Sequence, residues 1–320
     1  MKPLEPVPLE DIRAAYDRVK GVATDSPLVR LNVDDAPAEI FLKLENLQPI
    51  GSFKLRGAGN VLKLAESTEL EKGVWTASAG NMAQGVAWYA REMGLECTIV
   101  VPDHAPETKL AAIRRLGGKI VKVPAAEWFQ ILFDHGYEGM EGLFIHPVSN
   151  RNVIAGHGTI GLEIHEQLPD VGAVIIPYGG GALSSGIASA LRPLKPEVKV
   201  YAVEVDTAAP LAASLAAGEP VEVEYHASFV DGMGAPGLLP EMWPLVRQLL
   251  DGSLVVTVED IAQAIRVLAE RNRVVAEGAG AAPVAAALAG KAGGGKVACV
   301  VSGGNIDTDK LVKILQGEIP

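Results

Sequence analysis

Short β-branched runs alternate with longer runs of helical spacing along nearly the whole chain, and no other feature restricts the fold as much. Candidate strands fall at 39–44, 73–77, 97–101, 119–123, 172–177, 198–203 and 297–301. Between them lie helical patterns at 55–66, 82–93, 107–116, 152–167, 182–191, 259–271 and 279–290. Parallel neighbours cannot be joined by a tight hairpin, so strands separated by helical crossovers imply mostly parallel, twisted sheets flanked by helices, an α/β fold. At 320 residues the chain is long enough for two lobes, each with its own core. Residues 72–148 hold three strand-helix units and are expected to close as a small mobile domain, leaving 1–71 plus 149–320 as the large one. The stretch 218–240, rich in Gly, Pro and Glu and without clear periodicity, reads as a surface excursion of a kind that is often functional.

Composition narrows the partners. A formal charge of −11 with no Lys/Arg block would repel a phosphate backbone, so nucleic acid is not expected. The apolar runs at 172–177 and 297–301 are far shorter than the roughly 20 residues of a spanning helix. The opening MKPLEPVPLED lacks the charged-then-apolar layout of a secretory leader. A cytoplasmic protein without a membrane partner is the expectation. Cys97 and Cys299 sit in the strand-like runs ECTIVV and VACVVS and read as small buried thiols, not as a disulfide or metal ligands.

Four segments carry chemistry. In Pro49-Ile50-Gly51-Ser52-Phe53-Lys54-Leu55-Arg56-Gly57 a lysine stands directly before a helical run, behind the turn and cap residues Gly51 and Ser52. A helix N-terminus disfavours an ammonium, which suits a lysine acting as neutral nucleophile and base; taken alone, the same lysine reads as solvated surface. In Ile175-Ile176-Pro177-Tyr178-Gly179-Gly180-Gly181-Ala182-Leu183 a strand breaks into three glycines and enters a helix. Successive backbone N–H groups there make either a nest for a phosphate or a plain tight turn; neither a P-loop nor a dinucleotide fingerprint fits. Thr76-Ala77-Ser78-Ala79-Gly80-Asn81-Met82 also joins a strand to a helix, as a carboxylate grip or as a simple N-cap sequence. Val301-Ser302-Gly303-Gly304-Asn305 follows the last apolar strand and offers a hydroxyl to a ring nitrogen.

Together, in this order and spacing, the four segments resemble the fold-type II pyridoxal-phosphate enzymes, which are tryptophan synthase β-like. The closest branch is that of threonine dehydratase, serine dehydratase and serine racemase, from about residue 20 to 310. Gly51-Ser52-Phe53-Lys54-x-Arg56-Gly57-Ala58 followed by Ser78-Ala79-Gly80-Asn81 separates this branch from the cysteine synthases and the threonine synthases. The resemblance implies pyridoxal 5'-phosphate bonded through its aldehyde to Lys54, which later takes the Cα proton. It places Phe53 against the pyridine ring, Asn81 at the phenolic oxygen and Ser302 at the ring nitrogen. Gly179, Gly180, Gly181, Ala182 and Leu183 hold the phosphate, while Gly232 and Glu277 line the cofactor cleft. Ser78, Ala79, Gly80 and Met82 flank the substrate carboxylate. A neutral hydroxyl at the ring nitrogen favours direct elimination over long-lived carbanion chemistry. The implied activity is an ammonia-lyase (dehydratase) that β-eliminates a β-hydroxy amino acid of the L-threonine or L-serine type to a 2-oxo acid and ammonia. A racemase or a β-replacement lyase is the alternative, and a homodimer is implied by resemblance alone.

Departures from the branch sharpen the reading. Ala79 stands where racemases place a serine that protonates the opposite face of Cα, and alanine transfers no proton. Met82 replaces a common histidine. Phe129, in Glu127-Trp128-Phe129-Gln130, occupies the place of a substrate-side arginine. It reads either as core of the small lobe or as the wall of a pocket for a bulkier substituent such as that of phenylserine. A divalent cation site of Mg²⁺ or Ca²⁺ would need Glu204 and an aspartate that here aligns with Pro210, so Glu204 reads rather as a strand-end carboxylate at the surface. The chain stops soon after Asn305-Ile306-Asp307, and no regulatory domain is expected.

Overall fold

The computed structural model describes residues 2–320. Among these residues the strands are β1 (Leu28–Arg30), β2 (Glu39–Leu44), β3 (Val74–Ala77), β4 (Cys97–Pro102), β5 (Lys119–Val123), β6 (Leu143–Phe144), β7 (Ala173–Pro177), β8 (Lys199–Val205), β9 (Gly252–Val256) and β10 (Lys296–Val301). Six of them form one sheet in the order β1-β2-β10-β7-β8-β9, and four form a second in the order β5-β4-β3-β6. Every pairing is parallel except that of β1 with β2.

The helices are α1 (Leu9–Val19), α2 (Lys54–Leu64), α3 (Ser67–Leu70), α4 (Asn81–Glu92), α5 (Glu107–Arg115), α6 (Ala125–Asp134), α7 (Arg151–Gln167), α8 (Ala182–Leu194), α9 (Pro210–Ala217), α10 (Trp243–Leu249), α11 (Val258–Val267), α12 (Gly278–Leu288) and α13 (Thr308–Leu315). Several begin where a side chain takes up free N–H groups. The Asn150 carboxamide oxygen accepts from Asn152 and Val153 at the start of α7, and Thr257 and Asp260 form a reciprocal capping box at α11.

Strand residues point alternately to opposite faces, so both faces of each sheet must be covered. In β10, Ala298 and Val300 join a core built with α1, α7, α8 and α10, while Val297, Cys299 and Val301 join a second core built with α11 and α12. The smaller sheet repeats the plan. Val74, Cys97, Ile99 and Val101 pack on α4 and α5, and Trp75, Ala77, Val100 and Val123 pack on α6. The first of these cores also takes Leu55, Ala58, Val61 and Leu62 from α2, which lies outside 72–148. Helix α7 approaches its neighbours closely enough to need glycine. A Cβ on Gly156 would stand 2.5 Å from the Arg56 carbonyl oxygen, and one on Gly161 would stand 2.8 Å from that of Ile187.

The stretch 218–240 forms neither helix nor strand before a short turn at Pro240–Met242, yet it does not lie wholly at the surface. Phe229, Val230 and Met233 are buried in the core on the α12 side of the large sheet. Cys97 and Cys299 are free and buried.

Candidate active site

The carboxyl ends of β3, β7 and β10 open onto one cavity of about 340 Å³. Ligands of open α/β sheets bind in this position because loops leaving the strand ends there carry free backbone groups into a crevice. The cavity lies between the two sheets, with Ser78 to Met82 and Lys109 on one side and Gly179 to Leu183, Asp231, Gly232, Glu277 and Ser302 on the other.

Lys54 is the first residue of α2. The preceding turn is stitched to the end of β10: Phe53 N donates to Ser302 O at 3.0 Å, Gly304 N donates to Gly51 O at 2.9 Å, and Ser52 bridges Gly303. Gly51 has φ +73°, and a Cβ there would meet Asn305 Oδ1 at 2.7 Å, so the turn requires glycine. Lys54 Nζ lies in the cavity wall, 5.1 Å from the Phe53 ring centre, and donates to Pro147 O at 3.0 Å. Loss of solvation lowers its pKa to about 8, against the pull of the Glu277 carboxylate. Behind Phe53, His157 meets its ring edge-on at 4.6 Å; burial, aided by Lys54 and Arg56, holds that imidazole well below its ordinary range.

Two residues along α2, Arg56 is fully buried. Its Nε donates to Glu45 Oε2 at 2.8 Å and its Nη1 pairs with Glu163, which also binds the buried Lys43. Two cations and two carboxylates thereby tie the first turn of α2 to the end of β2 and to α7. Such a set contributes position more than net stability, because its desolvation cost offsets most of its attraction.

After β7 the chain runs through Gly179 and Gly180 to Gly181 at φ +93°, and α8 begins at Ala182. Among the described residues no protein acceptor takes the backbone N–H of Gly179, Gly180, Gly181, Ala182 or Leu183. A Cβ on Gly180 would stand 2.5 Å from the Val148 methyls, so any side chain would collide with the wall of this nest. Five free donors at the start of a 13-residue helix suit a dianion. With a half-buried amine in the same cavity, they fit a group carrying both a phosphate and an aldehyde.

Asn81 and Glu277 face each other across the cavity. Asn81 Nδ2 donates to Glu277 Oε1 at 2.7 Å, and Asn305 Nδ2 donates to Asn81 Oδ1 at 2.7 Å. Burial, reinforced by the Asp231 carboxylate, raises the Glu277 pKa to about 7. Ser302 is buried at the end of β10 and lines the cavity.

Two sequence expectations are corrected. Phe129 does not line the cavity; it is 47% exposed on the outer face of α6. Trp128 and Leu132, four residues apart and therefore on one helical face, form the wall instead. Glu204 is not a surface carboxylate but is 1% exposed. It accepts from Leu211 N at 2.9 Å, Ala212 N at 2.8 Å and Ser253 Oγ at 2.6 Å, and so caps α9 from a distance. Those donors take three of the roughly four lone-pair positions of the carboxylate.

Sequence reasoning missed Trp128, Leu132, Pro147, Val148, Lys109 and Asp231 in the wall. Lys109 pairs with Asp231 at 2.8 Å across 122 residues of sequence, a separation that leaves no local signal.

Three relatives place this geometry. The L-threonine ammonia-lyase of Thermotoga maritima is 42% identical over 321 residues, covering 97% of this chain and 78% of the relative. The structure of maize serine racemase superposes with a TM-score of 0.87 at 31% identity, covering 98% of each chain. The processed form of threonine deaminase isoform 2 from Solanum lycopersicum superposes with a TM-score of 0.85 at 33% identity, covering 98% of this chain and 96% of the other. The description "pyridoxal-phosphate dependent enzyme" matches residues 19–303, which hold the lysine turn, the glycine nest and Ser302 alike, and the chain belongs to that family.

Proposed function

We propose that the protein is an ammonia-lyase that β-eliminates water from a β-hydroxy amino acid of the L-threonine or L-serine type, yielding a 2-oxo acid and ammonia. The observation that carries this is Lys54, a half-buried amine with a pKa of about 8 in the same cavity as five free N–H donors. Bound pyridoxal phosphate supplies the electron sink that makes the α-hydrogen of an amino acid removable. The nest from Gly179 to Leu183 would hold the phosphate, Phe53 would support one ring face, and Asn81, Glu277, Gly232 and Ser302 would border the ring. Backbone groups and side chains from Ser78 to Met82 grip the substrate carboxylate. Lys54 Nζ would take the proton from Cα and return that same proton to the departing β-hydroxyl, which leaves as water, so that the lysine ends as the neutral amine it began as. The enamine set free tautomerises to an imine, and water converts that to the 2-oxo acid and ammonia.

The names of relatives support this substrate class, being threonine ammonia-lyase and threonine deaminase. The likeness to maize serine racemase supports a racemase reading. Against it, the position beside Gly80 is Ala79, whose methyl group has no proton to give to the opposite face of Cα. Residues 72–148 act as a mobile small domain in this scheme, and the working form is a cytoplasmic homodimer.

The test incubates the purified yellow holoenzyme with L-serine and L-threonine, following 2-oxo acid release and the chirality of recovered substrate. Release of 2-oxo acid with unchanged chirality is expected, with borohydride label on Lys54 and a loss of at least about 10³-fold in Lys54→Ala. Accumulation of D-amino acid without 2-oxo acid would overturn the lyase in favour of the racemase.

A further inference from the structure

The wall that faces the loop from Ser78 to Met82 is aromatic and aliphatic, and it is rigidly placed. Trp128 Nε1 donates to Val100 O at 3.1 Å, and the same carbonyl accepts from Ser78 N at 3.1 Å. One acceptor therefore fixes both the indole and the first residue of the loop. One turn further along α6, the Leu132 carbonyl accepts from His146 Nε2 at 3.0 Å. Both side chains are only partly covered by the core beneath them and present their remaining apolar surface to the cavity, beside Met82 and Pro102.

The charges of the cavity point the same way. Besides Lys54, Lys109 is the cation among the described lining residues, and its ammonium is already held by Asp231. Asp231 also lies 3.6 Å from Lys310. A substrate with a second carboxylate would have to compete with an established ion pair, whereas an apolar group would only displace water from Trp128 and Leu132.

We propose that Trp128 and Leu132 form the subsite for the substrate's β-substituent and select β-hydroxy amino acids bearing an aryl group on Cβ. This rests on the lyase reading and narrows its substrate class. Phe129, the adjacent aromatic residue, plays no part because it faces outward.

The test compares wild-type holoenzyme with Trp128→Ala, Trp128→Phe, Leu132→Ala and Phe129→Ala. It measures kcat/KM for 2-oxo acid release from L-serine, 3-phenylserine and 3-hydroxyaspartate. Calorimetric binding of L-phenylalanine and L-alanine, which carry no leaving group, gives a second readout. Wild type is expected to prefer phenylserine to serine and to reject hydroxyaspartate. Trp128→Ala and Leu132→Ala should each lower the phenylserine-to-serine ratio at least about tenfold and weaken L-phenylalanine in parallel. Trp128→Phe retains most of the ratio, and Phe129→Ala leaves it unchanged. A rise in phenylserine turnover in Trp128→Ala would show that the indole blocks the subsite, and a ratio indifferent to all four changes would remove it; either overturns the proposal. Turnover of serine but not phenylserine by wild type defeats this inference while leaving the lyase intact. Release of 2-oxo acid from none of the three, nor from L-threonine, defeats both.

Discussion

Lys54 and Glu277 share one cavity, and burial moves each toward its neutral form with opposite consequences for pH. The Glu277 carboxyl rises from an ordinary 4.5 to about 7. The folded chain thus holds that proton more tightly than the unfolded one. Its stabilising contribution is full below pH 4.5 and is lost as pH climbs through about 7. Lys54 falls from 10.5 to about 8, so its contribution is full above 10.5 and is lost as pH drops through about 8. Glu277→Gln keeps an acceptor for Asn81 and cannot ionise. In cofactor-free protein the variant should match wild type below pH 4.5 and exceed it by about 3 kcal/mol near pH 8, read from denaturant midpoints. A gap that stays flat across this range would mean that burial does not control Glu277. At this scale the contiguous motifs were readable because Lys54, Asn81 and the glycines each depend on immediate neighbours in sequence. The phase of α6 was not. In Trp128-Phe129-Gln130-Ile131-Leu132-Phe133 apolar residues occupy both faces, so periodicity alone does not say which aromatic turns inward.

Elements are held at the site by close backbone approaches, and Gly180 shows how sharply. The nest closes because the loop before α7 brings Val148 against it, and a Cβ on Gly180 would stand 2.5 Å from both Val148 methyls. Gly180→Ala should therefore weaken binding of pyridoxal phosphate at least about tenfold in equilibrium dialysis, by shifting the free N–H groups off the dianion. Val148→Ala removes those methyls, and the double variant should recover part of the loss. Failure of the second change to restore any affinity would show that the collision with Val148 is not what displaces the nest. Most long helices and buried strands were legible in sequence, since summed periodicity identifies them, although α1, α13 and β9 lie outside the runs read there. Elements without such a sum were not: β1 and β6 are three and two residues long, and α9, Pro-Leu-Ala-Ala-Ser-Leu-Ala-Ala, is apolar on most sides. Helix α9 depends on Glu204, a residue whose cap is delivered from β8 and is visible only once the strands are assembled.

Across the whole molecule, the cavity lies where the two sheets meet, and few polar links cross it. Asn81 reaches Glu277 and Asn305, His135 at the end of α6 reaches Glu241 at 3.1 Å, and Lys109 in α5 reaches Asp231 at 2.8 Å. The last pair is partly exposed, with side chains 23% and 38% accessible, so it contributes at most about 1 kcal/mol to global stability. Its leverage is positional, because both residues line the cavity mouth and Asp231 has a second cation, Lys310, at 3.6 Å to which it can turn. Asp231→Asn should leave the unfolding midpoint nearly unchanged while raising backbone hydrogen exchange across α5 several-fold, and added salt should do the same to wild type. Exchange confined to its original rate in both experiments would show that apolar packing, not this ion pair, holds the smaller sheet over the site.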